Sequence, residues 1–145
     1  MTPTDAARRA PSRTKARKRA LDILFEADLR ELSPLEVLAL HTDEADPPVR
    51  PFTAELVEGV TAHRAELDGL VGAHLPSGWT LGRMPRVDRN LARLATFEVL
   101  HTQTDPAVAI AECVLLATEL STDDSPALLN GVLGAIVRDA RPARS

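Results

Sequence analysis

The chain has 145 residues, of which 44% are hydrophobic, 26% charged and 3% aromatic, with a formal net charge of −4 and one cysteine, Cys113. This length suits one compact domain, and the scarcity of aromatics, with no Tyr at all, argues against a sheet built on aromatic cross-strand pairs and favours helices. A lone cysteine excludes an intramolecular disulfide framework and a thiolate metal cluster.

The charges are unevenly placed. Residues 1–20 carry seven Lys or Arg against Asp5 alone, net +6, and the remaining residues carry ten against twenty acids, net −10. A basic arm on an acidic body fits a polyanion partner for the arm or a basic partner for the body; a solubilising tail is the plain alternative. The cations lead into apolar residues as in a signal peptide, but Asp22, Glu26 and Asp28 interrupt that run and no small-residue cleavage site follows. No run approaches the roughly 18 apolar residues of a membrane span, so a cytoplasmic location is expected.

In chain order, residues 1–12 lack hydrophobic periodicity and are expected to form a disordered basic arm. The first helix is predicted from about Thr14 to Arg30, with Ala16, Ala20, Ile23, Leu24 and Ala27 on its core face. Ser33 and Pro34 form a cap pair opening a short helix to about Leu40. Residues 41–51 read as a loop. A long helix is expected over 52–73, with Leu56, Val60, His63, Leu67, Leu70 and Val71 near one stripe. Pro76, Gly78 and Gly82 then mark a hinge between two helical sub-bundles, about 13–75 and 76–140, with 141–145 as a tail.

The next helix spans about Val87 to Leu100. Its buried arc holds Val87, Leu91, Leu94 and Ala95, and Glu98 projects into that arc, where a carboxylate needs a partner. Asp105 and Pro106 open a helix that is apolar nearly all round and is expected at the centre of the fold, with Cys113 buried and inert. In DSPALLNGVLGAIVRD the Asn-Gly pair signals a hairpin, but Leu128, Leu129, Val132, Leu133, Ile136 and Val137 keep helical spacing through it, and a helix is expected. Ala127, Gly131, Gly134 and Ala135 would then make a smooth strip open to close approach.

Catalysis has no motif to rest on: there is no H-E-x-x-H, phosphate-binding glycine loop or nucleophile elbow. The histidines His41, His63, His74 and His101 are scattered along the chain, so neither a metal site nor a cofactor is expected. The first helix carries a second stripe, Thr14, Lys18, Leu21 and Phe25 with Arg17 beside it. Cations with an aromatic at this spacing suit phosphate contacts and base stacking; equally, Leu21 and Phe25 suit packing under another helix. Arg83, Arg86, Arg89 and Arg93 form another basic cluster, of which Arg86, Arg89 and Arg93 are expected to be exposed.

Three blocks, ARKRALDILFEAD, VDRNLARLATFEVL and AIAECVLLATELSTDDSPALLNGVL, occur in this order and resemble the NusB family of transcription antitermination factors over about residues 13–138. The resemblance implies an all-α fold of about seven helices in two packed sub-bundles. It also implies a non-enzymatic RNA-binding protein that pairs with NusE, a small-subunit ribosomal protein. Together they would bind single-stranded boxA RNA of ribosomal RNA transcripts and help the RNA polymerase antitermination complex read through terminators. Arg13, Lys15, Arg17 and Phe25 match the family's RNA-facing side, with Lys18 on the same stripe. Asp124 matches a loop on that side, and Asp88, Arg89 and Arg93 match the helix near the NusE surface. Thr14 and Leu128 depart from the family pattern, standing where relatives carry an Arg and an aromatic. Family members occur as monomers and as homodimers. The rival readings are a helical adaptor without RNA contact and the detached accessory domain of an RNA methyltransferase, against which the chain length and the lack of a cofactor loop argue.

Overall fold

The structure is a computed structural model that describes the backbone of residues 3–44 and 47–144 and the side chains of residues 12–44 and 47–140. Helices α1 (Pro3–Arg30), α2 (Pro34–Glu44), α3 (Pro51–Ala62), α4 (Arg64–His74), α5 (Arg86–His101), α6 (Pro106–Leu120) and α7 (Ser125–Arg144) and one 3₁₀ turn (Leu81–Arg83) form all the regular structure among the described residues. They group into two compact units, residues 1–61 and 62–145. This division falls between α3 and α4, ahead of the expected hinge at 75/76, because α4 packs on α5 and α7.

In the first unit, α1 buries Ala16, Ala20, Ile23, Leu24 and Ala27, the predicted core face, and Leu21 joins them. The small alanines leave room for α2, which packs on α1 and buries Val37 and Leu38. Beyond Arg30 the Leu32 N–H donates to Ala27 O at 3.0 Å with Glu31 at φ 56°, which terminates the helix by a left-handed turn. Ser33 Oγ then accepts from Leu35 N, as a cap should. The α1 backbone is already helical from Pro3, upstream of the expected start, in a segment rich in the strong helix formers Ala and Arg. Of the expected arm, 1–12, the side chains of residues 1–11 lie outside the described residues, as do those of the tail, 141–145. Helix α2 runs to Glu44, four residues past the predicted end, so the connection before α3 is shorter than 41–51.

The predicted 52–73 helix is interrupted at His63, whose φ −107° and ψ 16° leave the helical region. Its imidazole stacks on that of His101 with centroids 4.0 Å apart. That contact accompanies the break that periodicity does not register.

In the second unit the centre is α5, not the more apolar α6. Every residue of α5 from Asn90 to Val99 is buried, as is Asp88, and the helix packs against α4, α6 and α7. On α6 only Ala109, Cys113, Leu116 and Ala117 are buried, while Val108 and Leu115 are 48% and 55% exposed. Several polar side chains inside α5 have partners, while the buried Thr96 hydroxyl has none among the described residues. Arg93, 3% exposed, donates from Nε to Asp68 Oδ1 at 2.6 Å and from Nη2 to Oδ2 at 3.2 Å, and from Nη1 to Asn90 Oδ1. Glu98 is buried and partnered, as expected of a carboxylate in the core arc. The Cys113 thiol donates to Leu91 O, and burial pushes its pKa up, so it is inert.

Asp88 links α5 to the start of α7. Its two oxygens accept from Ser121 Oγ and Ser125 Oγ, and Ser125 Oγ in turn accepts from Thr122 Oγ1 at 2.7 Å and from Thr122 N. Each serine hydroxyl has one proton, and Asp88 takes both. Helix α7 runs straight through Asn130 and Gly131, burying Leu129, Val132, Leu133 and Ile136. The hairpin signal is thus overridden by helical burial. Nothing lies within 4 Å of a Cβ built on Gly131, and only the end of Arg138 approaches one on Gly134. The small-residue strip is therefore not used for close packing among the described residues.

Gly131→Ala should raise stability by about 1 kcal/mol, the helix-propensity difference at an open position, read as a higher urea midpoint. Asp68→Asn should lower stability by about 2–3 kcal/mol, somewhat less than the loss from a fully buried pair, since the Asp68 side chain keeps 28% of its exposure. Chemical denaturation of the purified variants measures both.

Candidate nucleic-acid interface

Three cations of α1 gather beside the connection into α3. Lys15 is exposed and Lys18 and Arg19 half-buried, and with Asp22 they form one wall of a cleft of about 510 Å³. Residues 47–51 and Thr53 form the other wall, with Arg50 exposed. Three prolines, Pro47, Pro48 and Pro51, stiffen that wall by fixing φ.

The two walls are tied together by side chains. Arg19 Nη1 donates to Pro47 O at 3.3 Å, and its Nε donates to His41 Nδ1 at 3.1 Å. Since Arg only donates, His41 accepts at Nδ1 and donates from Nε2 to Glu26 at 3.0 Å. That bond and the Arg30 contact hold the Glu26 carboxyl below its ordinary pKa. Arg50 Nη1 reaches Ser12 O and Ser12 Oγ, both at 3.2 Å, and Thr53 Oγ1 donates to Ala16 O at 2.9 Å. The cleft is thus shaped before any ligand arrives.

Aromatic pairing differs from the expectation. The guanidinium of Arg13 lies 4.3 Å from the ring centroid of Phe52, and that of Arg17 lies 5.4 Å from it. Phe52, at the start of α3, is the ring that sits among the arginines. Phe25 is half-buried ten residues beyond Lys15, about 15 Å up the same helix. Arg17 is 5% exposed, which corrects its expected place beside a stripe facing away from the core: its head lies against Phe52. Leu21 is likewise core, in agreement with the packing alternative.

The expected partner-facing residues are also redistributed. Asp88 and Arg93 are internal, satisfied as described above, and an α5 packed against three helices explains why Arg93, expected to be exposed, is buried. Arg89 is half-buried, and its Nε has no acceptor among the described residues. Asp124 is exposed in the turn ahead of α7, where its carbonyl accepts from Leu128 N. Sequence reasoning missed Arg19, Arg50 and Phe52. The run PPVRPF held the signal, a cation and a ring between prolines, but spacing along a single helix could not connect it to α1.

Residues 14–138 match the family model described as "NusB family". The chain belongs to the NusB family. A transcription antitermination protein NusB from Acidothermus cellulolyticus is 58% identical over 127 residues, covering 87% of both chains. Among solved structures, T. maritima NusB superposes with a TM-score of 0.77 at 27% identity, over 88% of this chain and 91% of the other. A complex of the antitermination factors NusB and NusE with double-stranded RNA matches with a TM-score of 0.77 at 26% identity, over 88% of this chain and 96% of the other. The all-helical fold expected from the NusB resemblance is the fold observed.

Arg17→Ala should lower stability by about 1–2 kcal/mol through lost packing and the lost contact with Phe52. Lys15→Ala, at an exposed position, should stay within about 0.5 kcal/mol of the parent. Urea midpoints of the two variants distinguish a packing residue from a surface cation.

Proposed function

We propose that this NusB-family chain is a non-enzymatic transcription antitermination factor that binds RNA through its first unit and acts together with NusE. The observation that carries this reading is the preformed cleft between α1 and residues 47–51, edged by Lys15, Lys18, Arg19 and Arg50 on a chain that is acidic overall. Cations spaced along a helix hold successive phosphates, and such contacts position an RNA without reading its sequence. The ring of Phe52, already flanked by arginines, offers a face for a base. Sequence preference for boxA would then depend on unstacked bases, which favours a single strand over a duplex. The acidic remainder of the chain suits a basic ribosomal protein such as NusE and speeds that encounter. Of the residues assigned to the partner surface, Arg89 stays a candidate contact, while Asp88 and Arg93 act by shaping α5. Work within an RNA polymerase antitermination complex is the ground for reading the protein as cytoplasmic.

The test is the affinity for a fluorescent boxA-like RNA, single-stranded and duplex, over a salt series with and without NusE. Binding should be tighter to the single strand and tighter again with NusE. Lys15→Ala with Lys18→Ala should make the slope of log K against log salt shallower by about 1.4, two phosphates at ~0.7 each. A slope near zero in the parent, or one unchanged in the double variant, would leave the helical adaptor without RNA contact as the correct reading.

A further inference from the structure

Outside the cleft, one group of side chains in the second unit has the composition of a metal site. His63 caps α4, Glu66 lies in the first turn of α4, and His101 is the last residue of α5. His101 Nε2 is 2.6 Å and His63 Nδ1 3.6 Å from the same oxygen, Glu66 Oε1. One ligand atom from each residue lies within 4.8 Å of the other two. We propose that His63, Glu66 and His101 bind a divalent transition-metal ion of the zinc class through two imidazole nitrogens and one carboxylate oxygen.

The donor set selects the ion. Two imidazoles and one carboxylate suit zinc and its neighbours, whereas calcium and magnesium need more oxygens and copper(I) prefers sulfur. Bonds of about 2.0–2.2 Å place tetrahedral ligand atoms roughly 3.3 Å apart. The present separations, 2.6 and 3.6 Å, bracket that value. Loading the site exchanges the His101–Glu66 hydrogen bond for coordination. The imidazoles, stacked with 21° between their planes, must also turn so that their lone pairs converge. Partial exposure makes that turn feasible, with 39%, 47% and 30% of the His63, Glu66 and His101 side chains accessible. Phe97 stands behind both rings at 5.8 and 5.6 Å, an apolar back wall. Three protein ligands leave a fourth position for water or for a donor from another molecule.

The other histidines do not offer this set. His41 has its Nδ1 occupied by the Arg19 donor, and His74 sits between Leu70 O and Asp139 with one carboxylate only. The proposal does not depend on RNA binding.

Titration of the untagged full chain with zinc by calorimetry, and with cobalt(II) by visible absorbance, tests it. Expected are saturable 1:1 binding, displacement of cobalt by zinc, and paramagnetic shifts of the His63 and His101 ring protons in cobalt-loaded protein. His101→Ala and Glu66→Gln should each weaken binding at least about tenfold, no less than loss of an outer-shell partner costs, and His74→Ala should leave it unchanged. Glu66→Gln changes only a surface carboxylate, and circular dichroism confirms its fold. Absence of saturable binding in the parent, equal binding in Glu66→Gln, or cobalt shifts at His41 or His74 in place of His63 and His101 would overturn the assignment.

Discussion

The buried guanidinium of Arg93 is the constraint on which the second unit depends. A charge at 3% exposure is tolerable only with a carboxylate in close bidentate contact, and Asp68 on α4 supplies it. That single requirement sets the register of α4 against α5. Asn90 is drawn into the same cluster through Arg93 Nη1. Asp88, further toward the N-terminus of α5, imposes a matching requirement at the other side of the helix, met by Ser121 and Ser125. Helix α5 is therefore central because its charged residues Asp88 and Arg93 find partners on neighbouring elements. The helix at the centre is the one whose Asp88 and Arg93 charges are hydrogen-bonded there, not the one with the highest mean hydropathy.

The first unit uses a different device. Helix α1 serves the core with a row of alanines, Ile23 and Leu24, and the surface with Lys15 and Lys18. Rigidity matters here, since a preformed cationic surface loses less side-chain freedom on binding than a disordered arm. The chain Arg19–His41–Glu26–Arg30, with Arg19 also bound to Pro47 O, adds polar ties among α1, α2 and the proline wall to the apolar packing of Val37 and Leu38. Arg13 and Arg17 around Phe52 do the same at the start of α3. Cations that composition counts as one basic patch thus divide into those that hold the structure and those that face solvent.

Two groups of side chains could not be read from spacing along one helix. Phe25 shares the helical stripe of Lys18 and was the natural aromatic for it, yet the ring beside the arginines is Phe52, brought in by a different helix. His63 and His101 lie 38 positions apart in the chain and meet because α4 begins where α5 ends. In both cases the contact is set by how helices pair, and pairing is decided by side chains on several elements at once.

The sequence by itself determined the helices, their caps at Ser33 and Asp105, the core face of α1, the continuation of α7 through Asn130 and Gly131, the inert Cys113 and the family. Those features are local: periodicity, propensity and capping act within a few turns of one chain segment, and a family motif is a string of such segments. Only the tertiary structure decided that α5 is central, that Asp88, Arg93 and Arg17 are internal, that residues 47–51 form a wall of the cleft, and that His63 breaks a helix. Each of these turns on a charge or ring meeting a partner 25 or more residues away, as Arg93 meets Asp68, and the cost of burying a polar group depends on that partner alone.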